Sequence, residues 1–170
     1  MGDGNFRVGV LTLSDKGARG ERIDESGQLL GELIVPVGSV ARYQVVADDH
    51  DKIVMLLTHW SDDLQLDLIL TTGGTGLSPR DLTPQATEQV IDYQVPGMAE
   101  AMRNVSMKKT VHAMLSRAVV GVRGQTLIVN LPGSPRGVRE NLEVLLPALP
   151  HALAKLQGDP SDQILDLAAR

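Results

Sequence analysis

Two short stretches carry residue types able to do chemistry. TTGGTGLSPRDLTPQAT, Thr71 to Thr87, packs three glycines, two prolines and an Arg80-Asp81 pair directly after an apolar run. NLPGSPRG, Asn130 to Gly137, repeats the Gly/Pro pattern after another apolar run. Glycines bring backbone N–H groups close to an anion without interference from a Cβ, and a following helix N-terminus adds a favourable dipole. Neither familiar nucleotide pattern fits Gly73-Gly74-Thr75-Gly76: there is no terminal Gly-Lys-Ser/Thr, and G-x-G-x-x-G counted from Gly74 meets Pro79 at its last position. A plain strand-to-helix turn would explain the glycines and prolines but has no need of Arg80-Asp81.

Carboxylates supply the second ingredient. Asp48 and Asp81 each follow an apolar strand-like run, so both can point into one cleft, although an Asp in that place is also an ordinary helix-start residue. Two carboxylates beside a phosphate-binding loop suggest Mg2+, which keeps several waters and takes one or two protein carboxylates. Ser116 and Ser134 have no His or Asp at a spacing that would make a nucleophile, which leaves them as hydrogen-bond donors or local turn caps. His50, His59, His112 and His151 lack metal-ligand spacing. Arg103, Lys108 and Lys109 form a solvated face or offer positive charge to a phosphate.

The elements that position these groups follow from periodicity. Strands are expected at Phe6 to Leu13, Ser39 to Val46 and Asp67 to Thr72, the last apolar almost throughout like a central parallel strand. AVVGVRGQTLIVNL reads as two strands joined near Arg123 to Gln125. Helices are expected from about Asp24 to Ile34, from Asp48 or Asp49 to about Leu64, from an N-cap at Thr83 with Pro84 at N1, after Pro96-Gly97, and from Val138 to about Leu156 with Pro147 and Pro150 kinking or segmenting it. Met98 and Met102, four apart, read as core. Alternating strands and helices imply a three-layer α/β/α domain with a mostly parallel central sheet, and both Gly/Pro loops open from strand carboxyl ends, where ligands bind in such sheets. Residues 1–158 form the expected single domain and 159–170 a C-terminal tail.

Composition excludes several functions. The 170 residues contain no cysteine, which removes disulfides, thiolate nucleophiles and Cys-ligated zinc. A net charge of −5 and scattered aromatics, Phe6, Tyr43, Trp60 and Tyr93, argue against a nucleic-acid partner. With no leader-like N-terminus and no apolar run approaching the roughly 20 residues that span a bilayer, a soluble, cytoplasmic protein without membrane contact is expected.

Read together, SDKGARGERIDESG (14–27), VADD (46–49), TTGGTGLSPRDLTPQAT (71–87), PGMAEAMR (96–103), MLSRAVVGVRGQTLIVNLPGSPRGVRENL (114–142) and LPALPHAL (146–153) resemble the molybdopterin adenylyltransferases. Those are enzymes of molybdenum cofactor synthesis, single-domain or fused into larger proteins. The resemblance implies a homotrimer, with hexamers in a related subgroup, and transfer of AMP from ATP to the terminal phosphate of molybdopterin with Mg2+ as metal. It also implies hand-over of the product to a metal-insertion protein. Residue by residue, it implies catalytic and metal-binding roles for Asp81 and Asp48. Asp49 is the alternative second carboxylate, because this chain has VADD where relatives often have Val-Pro-Asp. Nucleotide or pterin contacts are implied for Ser14, Asp24, Ser26, Thr72, Gly73, Gly74, Thr75, Gly76, Arg80, Ser116, Pro132, Gly133 and Ser134. The alternatives are a non-catalytic pterin-binding or scaffold module of the same fold, and a nucleotide pyrophosphate hydrolase.

Overall fold

The computed structural model describes residues 5–158. Six strands, β1 (Phe6–Leu13), β2 (Gly38–Val46), β3 (Leu68–Thr72), β4 (Tyr93–Gln94), β5 (Val120–Arg123) and β6 (Thr126–Leu131), join in one sheet of order β2-β1-β3-β6-β5-β4. The four strands β2, β1, β3 and β6 are parallel, and β5 and β4 add antiparallel pairings at one edge. The hairpin is forced by the chain: Gly124, at φ 56°, and Gln125 are too few residues for a crossover and enough for a tight turn.

Helices α1 (Asp15–Ala18), α2 (Glu25–Leu33), α3 (His50–Asp62), α4 (Thr83–Val90), α5 (Pro96–Met107), α6 (Pro135–Leu145) and α7 (Leu149–Leu156) complete the fold with a 3-10 helix at Val111–Leu115. Strand side chains alternate between faces, so Leu68 and Leu70 pack with Leu30 of α2, Met102 of α5, Leu142 of α6 and Leu153 of α7, while Ile69 packs with Leu57 and Trp60 of α3 and Val90 of α4. These two cores make the three layers that the alternating pattern implies. Met102 is buried as expected, with Met98 packed beside it.

Several elements differ from their sequence pattern for physical reasons. Thr83 is the first residue of α4 and not its cap, because its hydroxyl donates to the Gly73 carbonyl at 2.9 Å instead of accepting a helix N–H. Asp49 caps α3, accepting the Lys52 N–H at 3.0 Å, which frees Asp48 from that duty. The expected helix from Val138 starts earlier, at Pro135 behind a Ser134 cap, and breaks between Leu145 and Leu149 around Pro147. Helix α1 and strand β4 carry too few residues for periodicity to register. The expected tail, 159–170, lies outside the described residues.

The sheet is tied across its middle by one polar network. Buried Asn130 donates to Thr71 Oγ1 at 3.0 Å and Thr87 Oγ1 at 2.9 Å, and its Oδ1 accepts the Val119 N–H at 3.2 Å. It thereby links β3, β6, α4 and the approach to β5, just before the β3 and β6 ends open into the two Gly/Pro loops. Asn130→Ala removes the acceptor of a buried N–H and leaves a void, and should lower unfolding free energy by about 2–3 kcal/mol. Urea unfolding with an unchanged slope is the check; a loss below the error of that measurement would show the network to be dispensable.

Candidate active site

Chain direction creates the site. From β1 the chain turns to β2 on one side and then to β3 on the other, so the carboxyl ends of β1 and β3 diverge over a crevice. Gly73 and Gly74 sit there at φ 100° and 64°, the left-handed side that glycine tolerates best. A Cβ on Gly73 would overlap the Leu13 carbonyl oxygen, and one on Gly74 would overlap the Thr83 hydroxyl and stand 3.1 Å from Asp48 Oδ1. The Gly73 N–H is held by the Leu131 carbonyl at 3.2 Å, and the Gly74 carbonyl accepts the Thr83 N–H at 3.2 Å. The loop is therefore a fixed shape, and the amides left to meet an anion are those of Gly74, Thr75 and Gly76.

Asp48 and Asp81 both face this loop: a Cβ on Gly76 would lie 2.9 Å from Asp81 Oδ2, and Asp48 Oδ1 abuts Gly74. Asp48 Oδ1 is buried without a hydrogen-bond partner. Burial, together with the charges of Asp15 and Asp81, raises the Asp48 pKa above the usual Asp value. Asp81 Oδ2 accepts the Ser78 N–H at 2.9 Å. Asp15 links the segments that follow β2 and β3, its Oδ1 accepting the Asp48 N–H at 3.1 Å and its Oδ2 bonded to Arg80 at 2.5 Å. The Arg80 hydrogen bond, and next the Asp48 amide, hold Asp15 below the usual carboxylate value.

Two cavities flank the Gly133–Ser134 turn. One, of about 340 Å³, is lined by Ser14, Arg22, Asp24, Ser26, Gly133 and Ser134 among others. The other, of about 480 Å³, is lined by residues including Thr75, Gly76, Arg103, Lys109, Ser116 and Ser134. The serines also serve locally: Ser14 and Ser134 cap α1 and α6, Ser116 Oγ accepts the Ala118 N–H at 3.3 Å, and Ser26 donates to the Gly133 carbonyl at 2.8 Å. Asp24 is a structural hub at a cavity wall, its oxygens engaged by the Gly27 N–H, Thr12 and Tyr43. Thr72 donates to the Pro132 carbonyl at 2.7 Å, stitching the two Gly/Pro loops together. Lys109 and Arg136 are paired with Glu140, and Arg103 donates to the Ala118 carbonyl, so much of the second cavity's positive charge is already engaged.

Residues 9–151 match the family described as the probable molybdopterin binding domain. The chain belongs to that family. It is 41% identical over 159 residues to a molybdopterin adenylyltransferase of Helicobacter pylori, covering 91% of this chain and 89% of that one. It is 42% identical over 169 residues to gephyrin of Dictyostelium discoideum, covering 92% of this chain but only 23% of that much longer protein. The crystal structure of a molybdopterin biosynthesis enzyme, MoaB, from Thermus thermophilus superposes with a TM-score of 0.86 at 55% identity, over 91% of this chain and 98% of the other. Family and relatives together place the chain in molybdenum cofactor biosynthesis.

Two site residues escape the sequence patterns. Asp15 obeys the same rule that singles out Asp48 and Asp81, an Asp just beyond a parallel strand, but stands inside an Asp/Lys/Gly stretch that reads as a loop. Arg117 follows Ser116 and donates to the Gly76 and Asp81 carbonyls, 41 and 36 residues away in sequence, which no local pattern can announce.

The half-buried carboxylate of Asp48, with one oxygen unpartnered, carries a stability signature. Its folded pKa lies above the unfolded value of 3.8, so the charged form is disfavoured by folding and the penalty is present at neutral pH. Asp48→Asn, without added divalent metal, should raise Tm at pH 7 by about 2 °C, and the gain should shrink as pH falls through the carboxylate range and both forms become neutral. Calorimetry across pH is the check; a Tm gain that persists at acid pH would place its origin elsewhere than in the charge.

Proposed function

We propose that this protein transfers AMP from MgATP to the terminal phosphate of molybdopterin. An oxygen of that phosphate attacks the α-phosphorus of ATP, the bond to the β,γ-diphosphate breaks, and adenylylated molybdopterin and pyrophosphate leave. The observation that carries the reading is the meeting of Asp48 and Asp81 on the Gly74–Gly76 loop, whose Thr75 and Gly76 also line the larger cavity. The name of the Helicobacter relative supports the same reaction.

Bringing two phosphate groups together requires that their repulsion be offset and that the attacking and leaving oxygens be held in line. Backbone amides of Gly74, Thr75 and Gly76 meet phosphate oxygens at a fixed spacing because their loop is held at both ends. Arg80, with one guanidinium nitrogen on Asp15, adds a positive charge on the same side. Hydroxyls of Ser116 and Ser134 orient groups in the larger cavity. Hard oxygen donors at Asp48 and Asp81 suit Mg2+, and the unpartnered Asp48 oxygen is an open acceptor of the kind a cation satisfies. When bound, that ion lowers the charge of the phosphates it touches. Among the described residues no three His, Cys, Asp or Glu side chains cluster as a metal site, in keeping with an ion held largely by water and substrate.

The same reading includes assembly as a homotrimer, or a hexamer, and delivery of the product to a metal-insertion protein. Exposed apolar side chains, Met107, Val111, Met114 and Leu115, run from the end of α5 through the 3-10 helix and give a subunit or partner an apolar surface to cover. Light scattering decides the oligomer. No helix among the described residues is long and apolar enough to cross a membrane, and the proposed site of action is the cytoplasm.

Mass detection of adenylylated molybdopterin after incubation with MgATP tests the reaction directly. Asp81→Asn keeps an oxygen acceptor for the Ser78 N–H, so folding and molybdopterin binding should survive while single-turnover transfer slows on the order of 10²-fold or more. Unchanged transfer in that variant removes Asp81 from the chemistry. Pterin binding by the unaltered protein without ATP consumption favours the scaffold module instead.

A further inference from the structure

Every residue from Leu77 to Arg80 is exposed, and Leu77 retains 65% of its accessible surface. Apolar packing therefore does not fix the segment that ends in Asp81. Inside it, a small ring is closed by the Ser78 N–H on Asp81 Oδ2 and the Asp81 N–H on the Ser78 carbonyl, both at 2.9 Å. The ring sets internal shape and leaves its placement on the protein open. Placement comes from two arginines: Arg80, within the segment, is bonded to Asp15, and Arg117 reaches both ends, donating through Nε to the Gly76 carbonyl at 2.8 Å and through a terminal nitrogen to the Asp81 carbonyl at 2.6 Å, while its own N–H donates to the Thr75 carbonyl at 3.0 Å.

We propose that Arg117 is the positioning residue for Asp81, fixing both ends of the 76–81 loop with one planar fork. The inference rests on the proposed adenylyl transfer for its kinetic consequence and on geometry alone for the rest. A guanidinium presents its donors in a rigid plane and can hold two carbonyls at a set separation; an ammonium is a single point of donation on a flexible stem and cannot reproduce both. Ser116, the residue before Arg117, lines the larger cavity together with Thr75 and Gly76. A ligand filling that cavity would touch the same short segments that Arg117 joins.

The test uses Arg117→Lys and Arg117→Met in the full chain, with amide hydrogen exchange and single-turnover kinetics. Exchange at the Ser78 amide should accelerate about tenfold or more in both variants, with the Val129 amide in the sheet still protected. The transfer rate should fall on the order of 10²-fold, the effect of an ångström-scale misplacement, with the ATP concentration at half-maximal rate little changed and no rescue by lysine. Unchanged Ser78 exchange, full activity of Arg117→Lys, or a defect confined to KM each overturns the assignment. Should Arg117→Met fail to fold, Arg117→Lys alone decides, since it keeps the charge and one donor. If the unaltered protein transfers no AMP while Ser78 exchange still responds to Arg117, the reaction is wrong and the loop assignment stands. Normal transfer with unaltered exchange in both variants sinks the loop assignment and leaves the reaction standing.

Discussion

The arrangement depends on three strand ends touching at Gly73. Its Cα faces the Leu13 carbonyl that ends β1, its N–H is held by the Leu131 carbonyl that ends β6, and Gly133 lies so close that a Cβ there would come within 3.3 Å of Gly73 Cα. Only backbone fits in that space. Because parallel strands bring their carboxyl ends to one edge, and no side chain separates them at this point, the loops after β1, β3 and β6 share a common floor. Thr72 on the Pro132 carbonyl and Ser26 on the Gly133 carbonyl then lock that floor from both sides. The cavities on either side of Ser134 are a consequence of this contact.

On that floor the electrostatics are uneven in a useful way. Asp15 is satisfied by Arg80 and the Asp48 amide, whereas Asp48 is half-buried, pushed toward neutrality, and has an oxygen with no partner. A fold optimised for stability alone would pair or remove that oxygen. Its presence beside a loop of free backbone amides makes sense if a ligand or cation completes it, which is the stability–function compromise that active sites commonly carry. An acidic protein can hold polyanions on these terms, because the relevant charges are the few within the crevice and not the net charge of −5.

The sequence showed much of this, and for identifiable reasons. Apolar runs and helical spacing locate the β1, β3 and β6 strands and the helices between them because those elements are buried on one or both faces. Carboxylates after strands and glycines at strand ends point to the crevice because parallel-sheet topology leaves them nowhere else to go. What stayed hidden depends on contacts between distant segments. Thr83 looks like a cap until the Gly73 carbonyl captures its hydroxyl, the ties of Asp24 to Thr12 and Tyr43 cross distant segments, and Arg117 looks like any arginine until the carbonyls of Gly76 and Asp81 arrive beside it.

A division of labour follows between rigid and adjustable parts. Gly73 and Gly74 are held by sheet and helix backbone, so their amides cannot move without disturbing β3 or α4. The segment from Leu77 to Arg80 is exposed and held by polar contacts, the Arg80–Asp15 ion pair included. The phosphate binding proposed for them would profit from the first kind of support, because anion-binding amides work best when their spacing is already set. The second kind makes the place of the Asp81 carboxylate depend on polar contacts, the Arg117 fork among them. Under the proposed reaction, where charge shifts toward the leaving pyrophosphate, a fixed cradle with a carboxylate held by polar contacts is a sound physical solution: the cradle defines where the phosphorus sits, and the Arg117 fork sets where the carboxylate stands beside it.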